Sequence, residues 1–297
     1  MVRRRIAEQP VSKLAIWARR LALFSLVTMV IGIIIVRSGA LDIVPALTTL
    51  AGALLLALLA IVLAFAAGIV IWTEGVGGLR HAVTAIFIGL ALIAYPLYLG
   101  FKAYRLPPIY DVTTDPADPP RFEAVARLRP RDANPVAYAG RPAAQLQRAA
   151  YSDIEPDVTD AAPQQAYDAV LKVITKRKWH IVDARPPGSR EGHIEAIART
   201  PILGFREDVV VRVRAAPDGA RIDVRSASRY GRHDLGGNAA RVRALLGDVD
   251  AVLANLAPEK SEKAEKPAKP EKAEKHRTER KQAPMTQPAA KGSSAKR

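Results

Sequence analysis

The chain has 297 residues, with 44 Lys/Arg against 29 Asp/Glu for a net charge of +15, and no cysteine. The missing cysteine excludes disulfides, thiolate catalysis and cysteine-ligated zinc. The charge is uneven: ten Lys/Arg against three Asp/Glu in residues 1–105, 22 against 20 in 106–256, and twelve against six in 257–297. Nucleic-acid binding concentrates cations on a folded domain; the folded part here is nearly balanced, so no nucleic-acid partner is expected.

Residues 1–105 read as a basic segment followed by three transmembrane helices. Three stretches lack charge, Leu21–Val36, Ile43–Thr73 and Ala82–Phe101, holding 16, 31 and 20 residues. About 20 apolar residues cross the bilayer core. The first run is short, but Arg19 and Arg20 can snorkel and place Ile16 and Trp17 at the interface. A cleaved signal peptide ending at Ser38-Gly39-Ala40 competes; the further spans and the long basic region favour a retained helix. Pro45 suits a first helical turn, Pro96 is a candidate kink, and Tyr95, Tyr98 and Tyr104 are interface anchors. Arg3, Arg4, Arg5, Lys13, Arg19 and Arg20 place the N-terminus in the cytoplasm by the positive-inside rule. Three spans then put the C-terminal region outside the cytoplasm. No ionisable residue lies inside a span, which disfavours a transporter or channel.

Residues 106–158 form an arm with nine prolines, which excludes long helices and central strands. Short helices fit around Phe122, Val125 and Leu128, behind a cap at Asp118, and over Pro142–Ala150. Ile109, Tyr110, Phe122, Tyr138 and Tyr151 give the arm apolar surface to bury, so it is expected to dock on the domain.

Residues 159–256 carry the soluble domain. Tyr167, Val170, Leu171 and Ile174 recur at helical spacing behind Pro163. Strands are expected at Trp179–Ala184, His193–Arg199, Asp208–Ala215 and Arg221–Ala227, with turns at Pro186-Pro187-Gly188 and Pro217-Asp218-Gly219. Val209, Val211 and Val213 alternate with Val210, Arg212 and Arg214. A last helix, capped by Asp234, puts Val242, Leu245, Leu246, Val249, Val252, Leu253 and Leu256 on one stripe. The fold class is thus an α-helical membrane anchor of three spans plus an α+β domain: helix, four-stranded antiparallel sheet, helix. Both helices cover the apolar face, leaving an Arg-rich surface on the other. Residues 257–297, rich in Lys, Glu, Ala and Pro, read as a disordered tail.

Two segments carry a family resemblance. Gly204-Phe205-Arg206-Glu207-Asp208-Val209-Val210-Val211-Arg212-Val213 is similar to the "G-F-x-D-D-V-V-x-R-V" strand of a bacterial family known as domain of unknown function 1499. The stretch Ile222 to Asn238 resembles that family's "V-D-V-R-S-x-S-R-x-G-x-S-D-L-G-x-N", with His233 where Ser is common. Pro107–Asp115 and Tyr151–Pro156 also resemble family segments, with Ser152 in place of Pro. The resemblance spans about Pro107 to Leu256 and implies a domain often preceded by membrane helices. It implies no reaction.

Candidate chemistry gathers at the strand-to-helix junction 226–238. A helix N-terminus with glycines offers free N–H groups to an anion, and Arg225, Arg229, Arg232 and Arg241 stand near Ser226, Ser228, Asp234 and Asn238. These eight are the candidate anion- or ligand-binding residues. The competing reading is structural: Asp234 and Ser228 cap, Gly231 and Gly236 permit the turn, and the arginines pair with Glu207, Asp208 and Asp223. His193 and Glu195 share a strand face, but the sequence shows no third metal ligand, so no metal is expected. A Ser228–His233–Asp208 triad lacks a nucleophile elbow or oxyanion hole. No phosphate loop or dinucleotide fingerprint occurs, so no cofactor is expected. The expectation is an inner-membrane protein presenting a periplasmic domain for binding or envelope maintenance, more binding module than enzyme. Its partners would be membrane lipids, through an anionic headgroup, or an envelope polymer. The alternative is an envelope enzyme acting on a lipid or ester at the Ser226–Asn238 junction.

Overall fold

A computed structural model describes residues 10–39, 43–188 and 190–265, with side chains placed through residue 256. The basic stretch Arg3–Arg5, Ala40 and the tail beyond Glu265 lie outside the described residues. Three helices open the chain: α1 (Lys13–Ser38), α2 (Ile43–Glu74) and α3 (Leu79–Arg105). Each is long and apolar enough to cross a membrane. α1 starts well before its uncharged run, and Arg20 lies over the Trp17 ring at 5.3 Å. Pro96 sits inside a continuous α3.

The three helices meet through alanine. Ala15, Ala18 and Ala22 of α1 pack with Ala60, Ala64 and Ala67 of α2 and Ala82 and Ala85 of α3. Small side chains at three- and four-residue spacing let helix backbones approach closely. Phe24, Phe65 and Phe87 point outward, at 60, 61 and 74 % exposure, as a lipid-facing surface requires. Residues before α1 are held to the α2–α3 turn, where the Ser12 N–H donates to the Gly77 carbonyl at 2.9 Å.

The soluble part holds β1 (Asp111–Thr113), α4 (Gly140–Ala150), β2 (Asp157–Thr159), α5 (Pro163–Lys176), β3 (His180–Arg185), β4 (Gly192–Arg199), β5 (Arg206–Ala216), β6 (Gly219–Ser228) and α6 (Gly237–Glu265). A 3-10 turn over Val125–Leu128 stands where the helix behind Asp118 was expected. The antiparallel sheet has six strands rather than the expected four, in the order β1-β6-β5-β4-β3, with β2 also on β6. The two additional strands come from the two ends of the Pro-rich arm. Each spans three residues, too short for a period-2 pattern to register. Their order comes from the open edge of β6, which β1 meets at Asp111↔Ala227 and β2 at Asp157↔Ile222. The free side of β1 is closed by the buried Gln147 of α4, whose side-chain amide exchanges two hydrogen bonds with the Thr113 backbone, at 3.0 and 2.7 Å.

Alternation sorts the sheet faces. Ile194, Ala196, Val209, Val211, Val213, Ile222 and Val224 join Val170, Val173 and Ile174 of α5 and Val242, Leu245 and Val249 of α6 in the main core. The opposite face is covered, not exposed: the arm lies over it. Phe122 and Val125 of the arm pack on Val210 and Ala227, with Ala126, Val136, Val182 and Ile197 around them, and beside this apolar patch the layer is ionic. Arg212, Arg214 and Arg221 converge on the buried Asp223. Arm residues Asp118 and Asp115 complete the group, against Arg212 at 3.0 Å and Arg221 at 2.6 Å. The sequence shows these arginines alternating; the distant acids that neutralise them emerge only in three dimensions.

Candidate functional site

Strand alternation divides the junction residues between the two sheet faces. Ser226 and Ser228 point to the helix side and Arg225 and Arg229 to the arm side. On the helix side, the Ser226 hydroxyl donates to Asn238 Oδ1 at 2.8 Å and accepts from Arg241 Nη1 at 2.8 Å. The Ser228 hydroxyl donates to Glu207 at 3.0 Å and accepts from Asn238 Nδ2 at 3.0 Å. Arg241 forms an ion pair with Glu207. Both hydroxyls are buried, and the carboxylate beside Ser228 is already neutralised by Arg241.

On the arm side, Arg225 bonds Asp111 through Nε at 3.0 Å and Nη2 at 2.7 Å. It also donates to the carbonyls of Pro120 at 3.1 Å and Val136 at 2.8 Å, and it stacks on Phe122 at 4.6 Å. Burial lifts the Asp111 carboxyl above its ordinary value, and Arg225 opposes the lift. Arg229 pairs with Asp208 at 2.7 Å, and Arg129 of the arm shares the same aspartate at 2.6 Å. The junction cations Arg225, Arg229 and Arg241 therefore meet acids of the chain itself; Arg232 is exposed.

Asp234 caps α6. Its carboxylate accepts from the N–H groups of Gly236 at 2.9 Å and Asn238 at 2.8 Å. Gly231 and Gly236 take positive φ, 82° and 76°, which glycine adopts without steric cost. The His233 ring accepts from the Leu235 N–H at Nδ1, 3.0 Å. Nε2 therefore carries the proton and faces the carbonyls of Ala103 and Leu106 at 3.1 and 3.0 Å. The structure does not assemble Ser228, His233 and Asp208 as a triad: their side chains face Glu207 and Asn238, the end of α3, and two arginines respectively.

The structure supplies the third group near His193 and Glu195 that the sequence did not show. Glu123, His193 and Glu195 offer ligand atoms within 4.8 Å of one another. Glu195 is fully buried and accepts from the N–H groups of Glu123 at 2.8 Å, Ala124 at 3.1 Å and Val125 at 2.7 Å. It also meets His193 Nε2 at 2.9 Å, while Glu123 pairs with Arg185 at 2.7 Å. With its lone pairs so engaged, Glu195 acts as the cap of the 3-10 turn.

Residues 111–249 match the family model described as "Protein of unknown function (DUF1499)". The α+β domain is a DUF1499 domain. No curated protein and no solved structure matches the chain. The DUF1499 match opens on the first residue of β1, so the arm lies within the family's unit, as the docked geometry requires.

A second feature of the DUF1499 domain escaped sequence reasoning. A cleft of about 550 Å³ lies at the end of β3, β4 and β5, lined by Arg177, Lys178, Trp179, His180, Arg199 and Arg206, with Leu128, Ile197 and Arg229 beneath. The sequence signal was the run Lys176-Arg177-Lys178 before Trp179. The register that brings Arg199 and Arg206 beside it was not legible.

Proposed function

We propose that the protein is an inner-membrane protein whose DUF1499 domain stands on the periplasmic side as a binding or envelope-maintenance module, and that it is not an enzyme at the 226–238 junction. The contact between domain and helix ends carries this reading. Arg37, in the last turn of α1, donates to the carbonyls of Pro201 and Ile202 at 2.5 and 2.9 Å. Arg199 returns a bond to the Arg37 carbonyl at 3.1 Å, and His233 holds the end of α3. These contacts hold the domain close against the ends of α1 and α3. The basic N-terminal segment supports the cytoplasmic placement of the other end. Enclosure of Ser226 and Ser228 in a satisfied polar network supports binding over nucleophilic catalysis, because neither hydroxyl is open to a substrate. Membrane lipids and anionic envelope polymers are the partners this position offers.

A topology reporter tests the reading. Alkaline phosphatase fused after Leu256 is expected to be active, and a fluorescent protein that matures only in the cytoplasm is expected to be dark. The reverse pattern would overturn the periplasmic placement.

A further inference from the structure

Across the arm-side sheet face, the structure neutralises its arginines one by one. Arg185, Arg212, Arg214, Arg221, Arg225 and Arg229 each pair with an Asp or Glu. Two arginines of the same face do not. Arg199 and Arg206 sit directly opposite each other in the β4–β5 register, and among the described residues neither forms an ion pair. Like charges directly opposite across antiparallel strands, with Cβ atoms about 5 Å apart, destabilise a sheet. The fold that supplies acids everywhere else on this face leaves that repulsion standing.

The same two side chains line the cleft at the sheet end. Lys178 and His180, both exposed, join them, again without an ion pair among the described residues. Arg177 is held in place by Asp248 at 2.7 Å and lies over the Trp179 ring at 5.6 Å. Among the described residues, none that lines the cleft is acidic. A neighbouring cleft of about 240 Å³ shares Arg199, Arg206 and Arg229 and continues to Val36, Arg37, Ile43 and Phe205, with Asp132 as the one acid among the described residues that line it. The basic cleft thus opens toward the ends of α1 and α2, along an apolar wall.

We propose that this cleft binds a phosphate-bearing anion at the membrane surface, with Arg199 and Arg206 gripping it from opposite strands and Lys178 and His180 closing the far side. A phosphate offers several acceptor oxygens to two guanidinium forks. It turns the Arg199–Arg206 repulsion into shared attraction. The apolar wall toward Ile43 and Phe205 suits the glycerol and upper acyl carbons of a lipid, so a lipid headgroup and a free phosphate are the two sources to separate. This inference rests on the domain's place at the membrane. Anion binding by the purified chain does not depend on which side that is, so a cytoplasmic reporter result with anion binding intact would remove the periplasmic reading alone.

The test uses the purified full chain in an uncharged detergent, with calorimetry as one readout and, in a Trp17→Phe/Trp72→Phe background, Trp179 fluorescence as the other. Dioctanoyl phosphatidylglycerol, dioctanoyl phosphatidylcholine and inorganic phosphate are titrated separately. The anionic lipid is expected to bind and the zwitterionic one to bind at least about tenfold more weakly, since only net anions match the uncompensated cations. Arg199→Gln/Arg206→Gln is expected to weaken the anion at least about tenfold, as loss of a charge-assisted contact does. Its melting temperature without ligand should change little, because relief of the cross-strand repulsion offsets the lost Arg199 bond to the Arg37 carbonyl. Inorganic phosphate binding as tightly as the anionic lipid would uphold the phosphate site and assign it to a free phosphate. Arg121→Gln, an exposed arginine outside the cleft, controls for the chain's overall charge and should bind as the parent does. Absence of anion binding, equal affinity in the double variant, or an equal loss in Arg121→Gln would each refute the proposal.

Discussion

Replacing Arg225 with alanine should release the arm. The guanidinium joins β1, through Asp111, to the carbonyls of Pro120 and Val136 and to the Phe122 ring. Both partners of the ion pair are almost fully buried, at 3 and 2 % side-chain exposure. Breaking a buried pair by removing one partner costs about 3–5 kcal/mol, chiefly because the other charge is stranded. The lost stacking adds about 0.5–1 kcal/mol. Against a domain stability of about 5–15 kcal/mol, Arg225→Ala should leave the domain marginal. The loss should also depend on pH. Burial already lifts Asp111 above its ordinary carboxyl range, and without Arg225 it rises further. The folded variant then binds a proton that the unfolded chain has released, so its stability falls as pH rises above the unfolded value. The deficit should therefore be larger at pH 8 than at pH 5. Pulse proteolysis in a urea series measures both on the full chain in detergent, with Trp179 fluorescence in a Trp17→Phe/Trp72→Phe background as an independent probe. Arg225→Met/Asp111→Leu should recover at least half of the loss, because no charge is left stranded. A loss under about 1 kcal/mol for Arg225→Ala, or one that does not change with pH, would refute the reasoning.

Three further outcomes are expected from the same geometry. Burial and the neighbouring Asp250 carboxylate push Asp157 of β2 up to about 6, so stability should fall as pH rises from about 4 to 6, and Asp157→Asn should flatten that slope. The gain at pH 7.5 should be roughly 1 kcal/mol after discounting for solvent exposure, read from urea midpoints. For Glu195, burial raises the carboxyl pKa, but the bonds from His193 and from the Val125, Glu123 and Ala124 N–H groups outweigh it and leave it low; its contribution is present above the unfolded value and lost as pH falls through the folded one, and Glu195→Gln should cost about 1–3 kcal/mol at neutral pH and open the 3-10 turn to proteolysis. A Cβ at Gly219, where φ is 152°, would lie 2.1 Å from the Thr159 carbonyl oxygen, so Gly219→Ala should cost about 2–3 kcal/mol and weaken β2 most, as faster hydrogen exchange at Asp157–Thr159.

The parts of the fold legible in the sequence are those with a period. The stripe of Tyr167, Val170 and Ile174 marks α5, and the alternation of Val209, Val211 and Val213 marks β5, because each repeat reports one buried face. β1 and β2 have no such signal: Asp111-Val112-Thr113 becomes a strand because β6 offers an edge and Gln147 closes the other side. The charge pattern was half legible. The arginines at 212, 214, 221 and 225 stand at alternate positions on their strands with Asp223 among them, but the further acids that neutralise them, at 111, 115 and 118, lie about a hundred residues earlier. Arg199 and Arg206 are separated by a six-residue loop, and whether they oppose each other depends on a register that the loop sets. The junction residues 226–238 were legible as a group, and their division between two sheet faces comes from the strand period once β6 is known to run through Ser228.

Between the last residue of α3 and the first of β1 lie only the five residues Leu106 to Tyr110. Fully extended, such a segment reaches at most about 17 Å. If α3 spans the bilayer, the domain is a captive body kept within a thin shell of lipid rather than free in a volume. Tethers this short set effective concentrations in the millimolar range. Any lipid-borne group within reach is thus met at a concentration that fills even a feeble site, and which group fills it follows from the composition of the leaflet weighted by relative affinity.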